Sequence, residues 1–260
     1  MPRFRFSVRT LLIACAVFAA ILGLSIRFGP HVVWKTLHSD VSSGVVSIPS
    51  KPLVATTPAD LLVTCQIGPV SFELPKSMSH SISVHRGMGG GYLQFQDDGR
   101  SIALLLPRPD DRLFQQQISG FPEKAKLTFP RLYKEVTDAQ SSDFSFGMTR
   151  QELAWHQWLL STRAQIGVDI DSIEFVRRPD LEGNLLSFSS LRTFQWATVD
   201  SKWEGTIFFK GTSKEDVEWI RHLCTTFAIN GNPEIFAGRN EAAIKSMIII
   251  TESAAPMPTQ

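Results

Sequence analysis

Residues 192–229 read RTFQWATVDSKWEGTIFFKGTSKEDVEWIRHLCTTFAI, and the order of patterns within them decides the fold. Phe194 and Trp196, then Trp203, Ile207 and Phe209, alternate with polar residues. A period of two turns one side chain inward and the next outward, as in a strand with one buried and one wetter face. The stretch therefore predicts strands over Arg192–Val199 and Trp203–Lys210. The period then changes. Thr212-x-x-Glu215 is a capping box, in which two side chains satisfy otherwise unpaired amides at a helix start. From there to about Ala228, Val217, Ile220, Leu223, Cys224 and Phe227 gather on one side. Lys214, Glu218, Arg221, His222 and Thr225 take the other, so the helix has one face to lay on an apolar surface. Such strands followed by an amphipathic helix point to an α+β body: an antiparallel sheet with two or three packed helices.

The rest of the body repeats these signals. Leu61–Ile67, Val70–Leu74, Ser81–His85, Tyr92–Gln96, Ser101–Leu106, Ser172–Arg177 and Asn184–Phe188 are further strand candidates. Asp98-Gly99 reads as a two-residue hairpin turn, whose central positions need positive φ. A second capping box, Thr149-x-x-Glu152, opens a helix expected to reach about Gln165. Residues 107–148 carry weaker signals: a short helix from Asp110 through Gln117, then irregular chain around Pro122 and Pro130. Glu241–Ile250 reads as a last helix and Thr251–Gln260 as a loose tail. Phe72-Glu73-Leu74-Pro75-Lys76 resembles the "F-x-x-P" strand ending of PsbP-like domains, and Thr206–Ile229 is similar to their closing β-α step. That resemblance covers residues 61–230 and implies a non-catalytic binding or assembly module.

At the amino-terminal end, residues 10–26 (TLLIACAVFAAILGLSI) form a run of 17 without a charge, between Arg9 and Arg27. As a helix it spans roughly 26 Å, a little under a hydrocarbon core of about 30 Å. Flanking arginines that reach for the head groups make up the difference. Arg3, Arg5 and Arg9 precede the run, so the positive-inside bias places the amino terminus in the cytoplasm and the body outside it. A cleaved signal peptide, with Val17-Phe18-Ala19 as its cleavage region, and a lipoprotein carrying lipid on Cys15 are the alternatives; each exports the body. Arg5–Leu12, RFSVRTLL, resembles the "RFSxRTLL" start of many uncharacterised bacterial proteins with one hydrophobic helix and an exported body. It implies an address and no activity. The expected organisation is a single-pass anchor in the cytoplasmic membrane at 1–28, a Ser/Thr/Pro-rich spacer at 29–60, an extracytoplasmic domain at 61–230 and a carboxyl-terminal extension at 231–260. Val45, Val46 and Ile48 offer an edge strand as the alternative reading of part of the spacer.

Charge and chemistry narrow the function. The 260 residues hold 26 Lys+Arg and 25 Asp+Glu. Four of those arginines and no acid fall within residues 1–28, which leaves a weakly acidic body without a footprint for nucleic acid. Hydrophobic content of 43% and charged content of 20% exclude collagen-like, disordered and coiled-coil chains. Three cysteines are too few for a disulfide scaffold, though Cys65 and Cys224 are candidates for one bridge. Neither HExxH nor CxxC occurs, so no metal is expected. Gly87–Gly91 lacks the Lys-Ser/Thr of a P-loop and no G-x-S-x-G is present, so neither cofactor nor catalytic set is expected. Trp155, Trp158 and Leu159 sit on a helix that is apolar around more than half its circumference. They form a candidate contact surface, or else pack beneath residues 107–148. The reading is a membrane-anchored binding or assembly module whose partner is another envelope protein. Its alternatives are an envelope hydrolase drawing on His80, His85 and His156, and a carrier of an apolar ligand between sheet and helices.

Overall fold

The computed structural model describes residues 16–29, 32, 48–105 except 88, 89 and 98, and 118–252 except 119, 125–126, 141–142, 146, 167–169, 201, 212, 233–235 and 237–238. The chain forms two compact units, one of Met1–Val46 with Asp138–Gln165 and one of Ser47–Thr137 with Ile166–Gln260.

The second unit holds two sheets. Its strands are β1 (Ser50–Pro52), β2 (Leu62–Ile67), β3 (Val70–Pro75), β4 (Ile82–Gly87), β5 (Gly90–Asp97), β6 (Arg100–Leu105), β7 (Ser172–Arg177), β8 (Leu181–Ser187), β9 (Arg192–Thr198), β10 (Glu204–Lys210), β11 (Ala228–Ile229) and β12 (Ile248–Glu252). Eight run in the order β1-β7-β8-β9-β10-β6-β5-β4, and four in the order β11-β3-β2-β12. The hairpins follow local chemistry. Asp97 faces Arg100 across the β5–β6 turn, where Gly99 takes φ +90°. Helices α1 (residues 16–29), α2 (Phe129–Asp138), α3 (Arg150–Ile166), α4 (Lys214–Thr226) and α5 (Glu241–Lys245) complete the described elements.

The main core lies between the sheets. Phe194, Trp196, Ile207 and Phe209 of the large sheet meet Cys65 and Phe72 of the small one and Trp219, Ile220, Leu223 and Cys224 of α4. Two glycines make room for rings. A Cβ on Gly183 would lie 2.4 Å from Phe194, and one on Gly205 would lie 2.6 Å from Trp196. On the far side of β7 and β8, Ile173 and Leu186 pack with Ile48 and with Phe129 and Tyr133 of α2. Residues 181–186 of β8 and 193–197 of β9 are accordingly buried without alternation, so the wetter face expected for β9 is absent.

Several expectations are corrected. The large sheet is mixed, because β1 pairs in parallel with β7. The spacer therefore contributes a strand at 50–52, starting two residues beyond the Val45–Ile48 alternative. Pro52 is tolerated there because an edge strand has one side with no ladder to donate to. α2 occupies chain expected to be irregular; Pro130 sits in its first turn, where its missing N–H costs nothing. The box that starts α4 is Ser213 with Asp216, one residue later than Thr212 with Glu215. Helix α5 is short, and Ile248–Glu252, expected as helix end and tail, is a strand paired with β2. β1 and β12 both lie outside the 61–230 span expected for the domain, and both are built into its sheets.

In the first unit, the Thr149 box forms as read: Glu152 N–H donates to Thr149 Oγ1 at 3.2 Å and Thr149 N–H to the Glu152 carboxylate at 2.7 Å. Arg150 donates to the Ile26 carbonyl of α1 at 3.1 Å. Along α1 the side chains of residues 16–27 are all exposed. Among the described residues no helix is long and apolar enough to cross a membrane. The described part of α1 holds 14 residues, or about 21 Å. Arg9 and the rest of residues 1–15, Val45 and Val46, Asp98, the helix expected at 110–117, and the tail from 253 lie outside the described residues.

Candidate functional site

Two buried glutamates hold helices to the large sheet. Glu174 on β7 accepts from Arg221 of α4, with Nε at 2.8 Å and Nη2 completing the fork, and Lys51 of β1 lies 3.6 Å away. Glu182 on β8 accepts from Arg131 of α2 through Nε at 2.7 Å and through Nη2, and from Thr128 Oγ1 at 3.1 Å. Burial alone would raise the Glu182 carboxyl; the Arg131 hydrogen bonds and charge, helped by Thr128, hold it below the ordinary glutamate range. Hydrogen bonds from Arg221 to Glu174 raise the guanidinium in turn. Arg178 donates to the Thr225 and Phe227 carbonyls at 2.7 and 2.6 Å, closing the carboxyl-terminal end of α4. On the polar side of α4, His222 is held at both nitrogens, by the Thr56 carbonyl at 2.9 Å and the Glu73 carboxylate at 2.5 Å. A carbonyl only accepts, so Nδ1 carries a hydrogen.

The histidines named from the sequence stand in separate local settings. His80 ends a 3₁₀ turn, Lys76–His80. His85 on β4 stacks on Tyr92 at 4.8 Å, and its Nε2 lies 2.8 Å from Ser83 Oγ. His156 is buried on α3. Ser83 was not legible as a partner, because an i, i+2 pair shares a face only once the segment is known to be a strand. No group of three metal-ligating side chains occurs among the described residues. The surface expected around Trp155, Trp158 and Leu159 is not open: Trp155 and Leu159 are buried, and Trp158 is half-buried with its ring stacked on Trp155 at 5.0 Å. Cys65 and Cys224 are free and do not form the bridge considered above. Each is enclosed in the core as a small hydrophobe. Burial pushes the Cys65 thiol up to about 12, and burial followed by the Glu174 charge raises Cys224.

Two open features stand out among the described residues. One is a groove of about 710 Å³ where the β7–β8 and β9–β10 turns meet the chain after β11, lined by Asp180, Asp200, Lys202, Trp203 and Asn232. Its carboxylates have cations of their own, Arg178 at 2.9 Å from Asp180 and Lys202 at 3.3 Å from Asp200.

The other is the edge formed by β12. A strand edge presents unpaired N–H and C=O groups, which proteins blunt with short strands, proline or a covering helix. Three edges of this unit are treated so. β1 is three residues long and holds Pro52; β11 is two residues long, and α4 packs along β3 beside it; β4 is faced by α5. β12 is five residues, IIITE, and pairs only with β2 among the described residues. Ile249 is 54% exposed and Ile250 39%. Comparison of the chain with protein-family models, with curated proteins and with solved structures finds no match.

Proposed function

We propose that this protein is a membrane-anchored, extracytoplasmic module that binds or assembles with other polypeptides and performs no catalysis. The observation that carries the address is α1, whose side chains Val17, Phe18, Ile21, Leu22, Leu24 and Ile26 are all half or more exposed. A helix apolar on every side needs a surrounding as apolar as itself, which lipid supplies. The likeness of residues 5–12 to the RFSxRTLL starts, and the arginines ahead of the run, orient it with the body outside the cytoplasm. The assembly role draws on β12, an unguarded apolar edge of the kind that accepts a further strand. It also draws on the buried carboxylates being committed to helix–sheet pairs. The PsbP-like resemblance points the same way.

Two measurements test the reading. The full chain should stay in the membrane pellet after alkaline carbonate, and a reporter fused at Gln260 should be active only outside the cytoplasm. Release by carbonate together with a reporter active only in the cytosol refutes the address. Detergent extraction after crosslinking should recover the chain joined to protein, and recovery as a lone monomer refutes the assembly role. The hydrolase reading has one observation in its favour, the 2.8 Å approach of Ser83 to His85. It requires that Ser83→Ala abolish turnover of ester substrates by the purified chain; absence of turnover in the unaltered chain removes it.

A further inference from the structure

We infer that the occupant of the β12 edge is a second copy of this chain, paired β12 to β12 in the antiparallel sense; this rests on the assembly reading above and names its partner. Antiparallel pairing of one strand with its own copy is closed by a two-fold axis: each copy offers the edge it receives, and the free edge is used up on both. The two four-stranded sheets become one of eight strands.

Charge selects the sense. Lys245, which ends α5 just before β12, and Glu252, which ends β12, are both exposed. Antiparallel pairing lays the Lys245 end of one copy beside the Glu252 end of the other. Parallel pairing would set lysine beside lysine and glutamate beside glutamate, which is unfavourable across strands. Glu252 has capacity for a second cation: Lys76 takes one oxygen at 2.7 Å and the side chain remains 81% exposed. Side-chain direction supports the same pairing. Ile250 faces Cys65 across the ladder and so lies on the core side of the sheet, yet no strand covers its outer flank among the described residues. A partner's isoleucine opposite it extends the core across the axis, while Ile249 meets its counterpart on the other face. Copies held in one membrane also meet at raised effective concentration.

The test uses the full chain in detergent with Cys15→Ser, which leaves only the two buried thiols. Light scattering during size exclusion should give a dimer. Ile249→Lys should raise the dimer dissociation constant at least tenfold with the circular dichroism spectrum unchanged. If the lysine variant does not fold, Ile249→Thr keeps β-branching and should weaken the dimer in the same direction. Ile250→Cys should be joined to its own copy by a short bis-maleimide. An unaltered chain that is monomeric, or a dimer indifferent to both position 249 variants and unjoined through position 250, overturns the inference. A monomer that crosslinks to a different envelope protein, and loses it with Ile249→Lys, overturns the second copy while supporting the assembly role. A monomer that crosslinks to nothing overturns both.

Discussion

The Glu182–Arg131 pair allows a sharp prediction, because its two members differ in what their loss strands. Glu182 keeps only 7% of its side chain in contact with water, whereas Arg131 keeps 53%. Arg131→Ala leaves a carboxylate in the sheet with Thr128 Oγ1 as its chief remaining donor. Breaking a buried pair by removing one partner costs about 3–5 kcal/mol, and the half-exposed arginine puts this case near about 3. Glu182→Gln instead frees a guanidinium that swings into water, at a cost near that of one ordinary hydrogen bond, about 1 kcal/mol. For a chain of this size that corresponds to melting-temperature losses of roughly 6–12 °C and roughly 2–4 °C. The pH dependence separates the cases further. The folded carboxyl lies below its unfolded value, so its contribution is fully present above the ordinary glutamate pKa and disappears as pH falls through the depressed folded one. In Arg131→Ala the carboxyl is desolvated without its cation, so protonation relieves it and the deficit shrinks on acidification. Thermal and urea denaturation of both variants at pH 7 and pH 4 measure this. Equal losses for the two variants at pH 7, or a deficit in Arg131→Ala that grows with acid, would refute the reasoning.

Three further outcomes are expected. Gly205→Ala forces a Cβ to within 2.6 Å of Trp196; overpacking of this kind costs about 1–3 kcal/mol, read by denaturation together with a changed tryptophan emission. Ser213→Ala removes the side chain that accepts from Asp216 N–H at 3.0 Å, with a loss of about 1 kcal/mol, whereas Ser213→Asp should restore most of it. Cys65 and Cys224, both buried with raised pKa values, should resist maleimide at pH 8 in the folded Cys15→Ser chain and react within minutes in guanidinium.

What could be read from residue order was whatever short-range physics determines. The Thr149–Glu152 box, the hairpin that closes between Asp97 and Arg100 with Gly99 at positive φ, and the strand at Ser172–Arg177 each answer to a local signal and stand where expected. α2 was hidden because Pro130 looks like a breaker unless its place in the first turn is known. β12 was hidden because Ile244, Met247 and Ile248 also fit a helical period, and only pairing with β2 decides for a strand. β1 arises from a pairing with β7 more than a hundred residues away, and the double burial of β8 from α2, with Asn184 bonded to Pro130 54 residues away; no local window has access to either. The same holds for the candidate site. That β12 is an edge, and an unguarded one, is a property of strand order and not of the letters IIITE. Trp155 and Leu159 show the converse: an apolar helix face can be read from sequence, but what covers it cannot.

The union of β2 with β12 joins Val63 to Glu252, nearly the first and last residues of the body. A ribosome making this chain must pass Glu252 before the small sheet can gain its fourth member. Until then β2 waits with one flank bare beside an otherwise assembled core, at the moment when newly made chains are most prone to stick to one another. Premature termination anywhere before Ile248 would make that transient exposure permanent, so loss of the last dozen or so residues should be felt as aggregation of nascent product and not merely as a shorter protein.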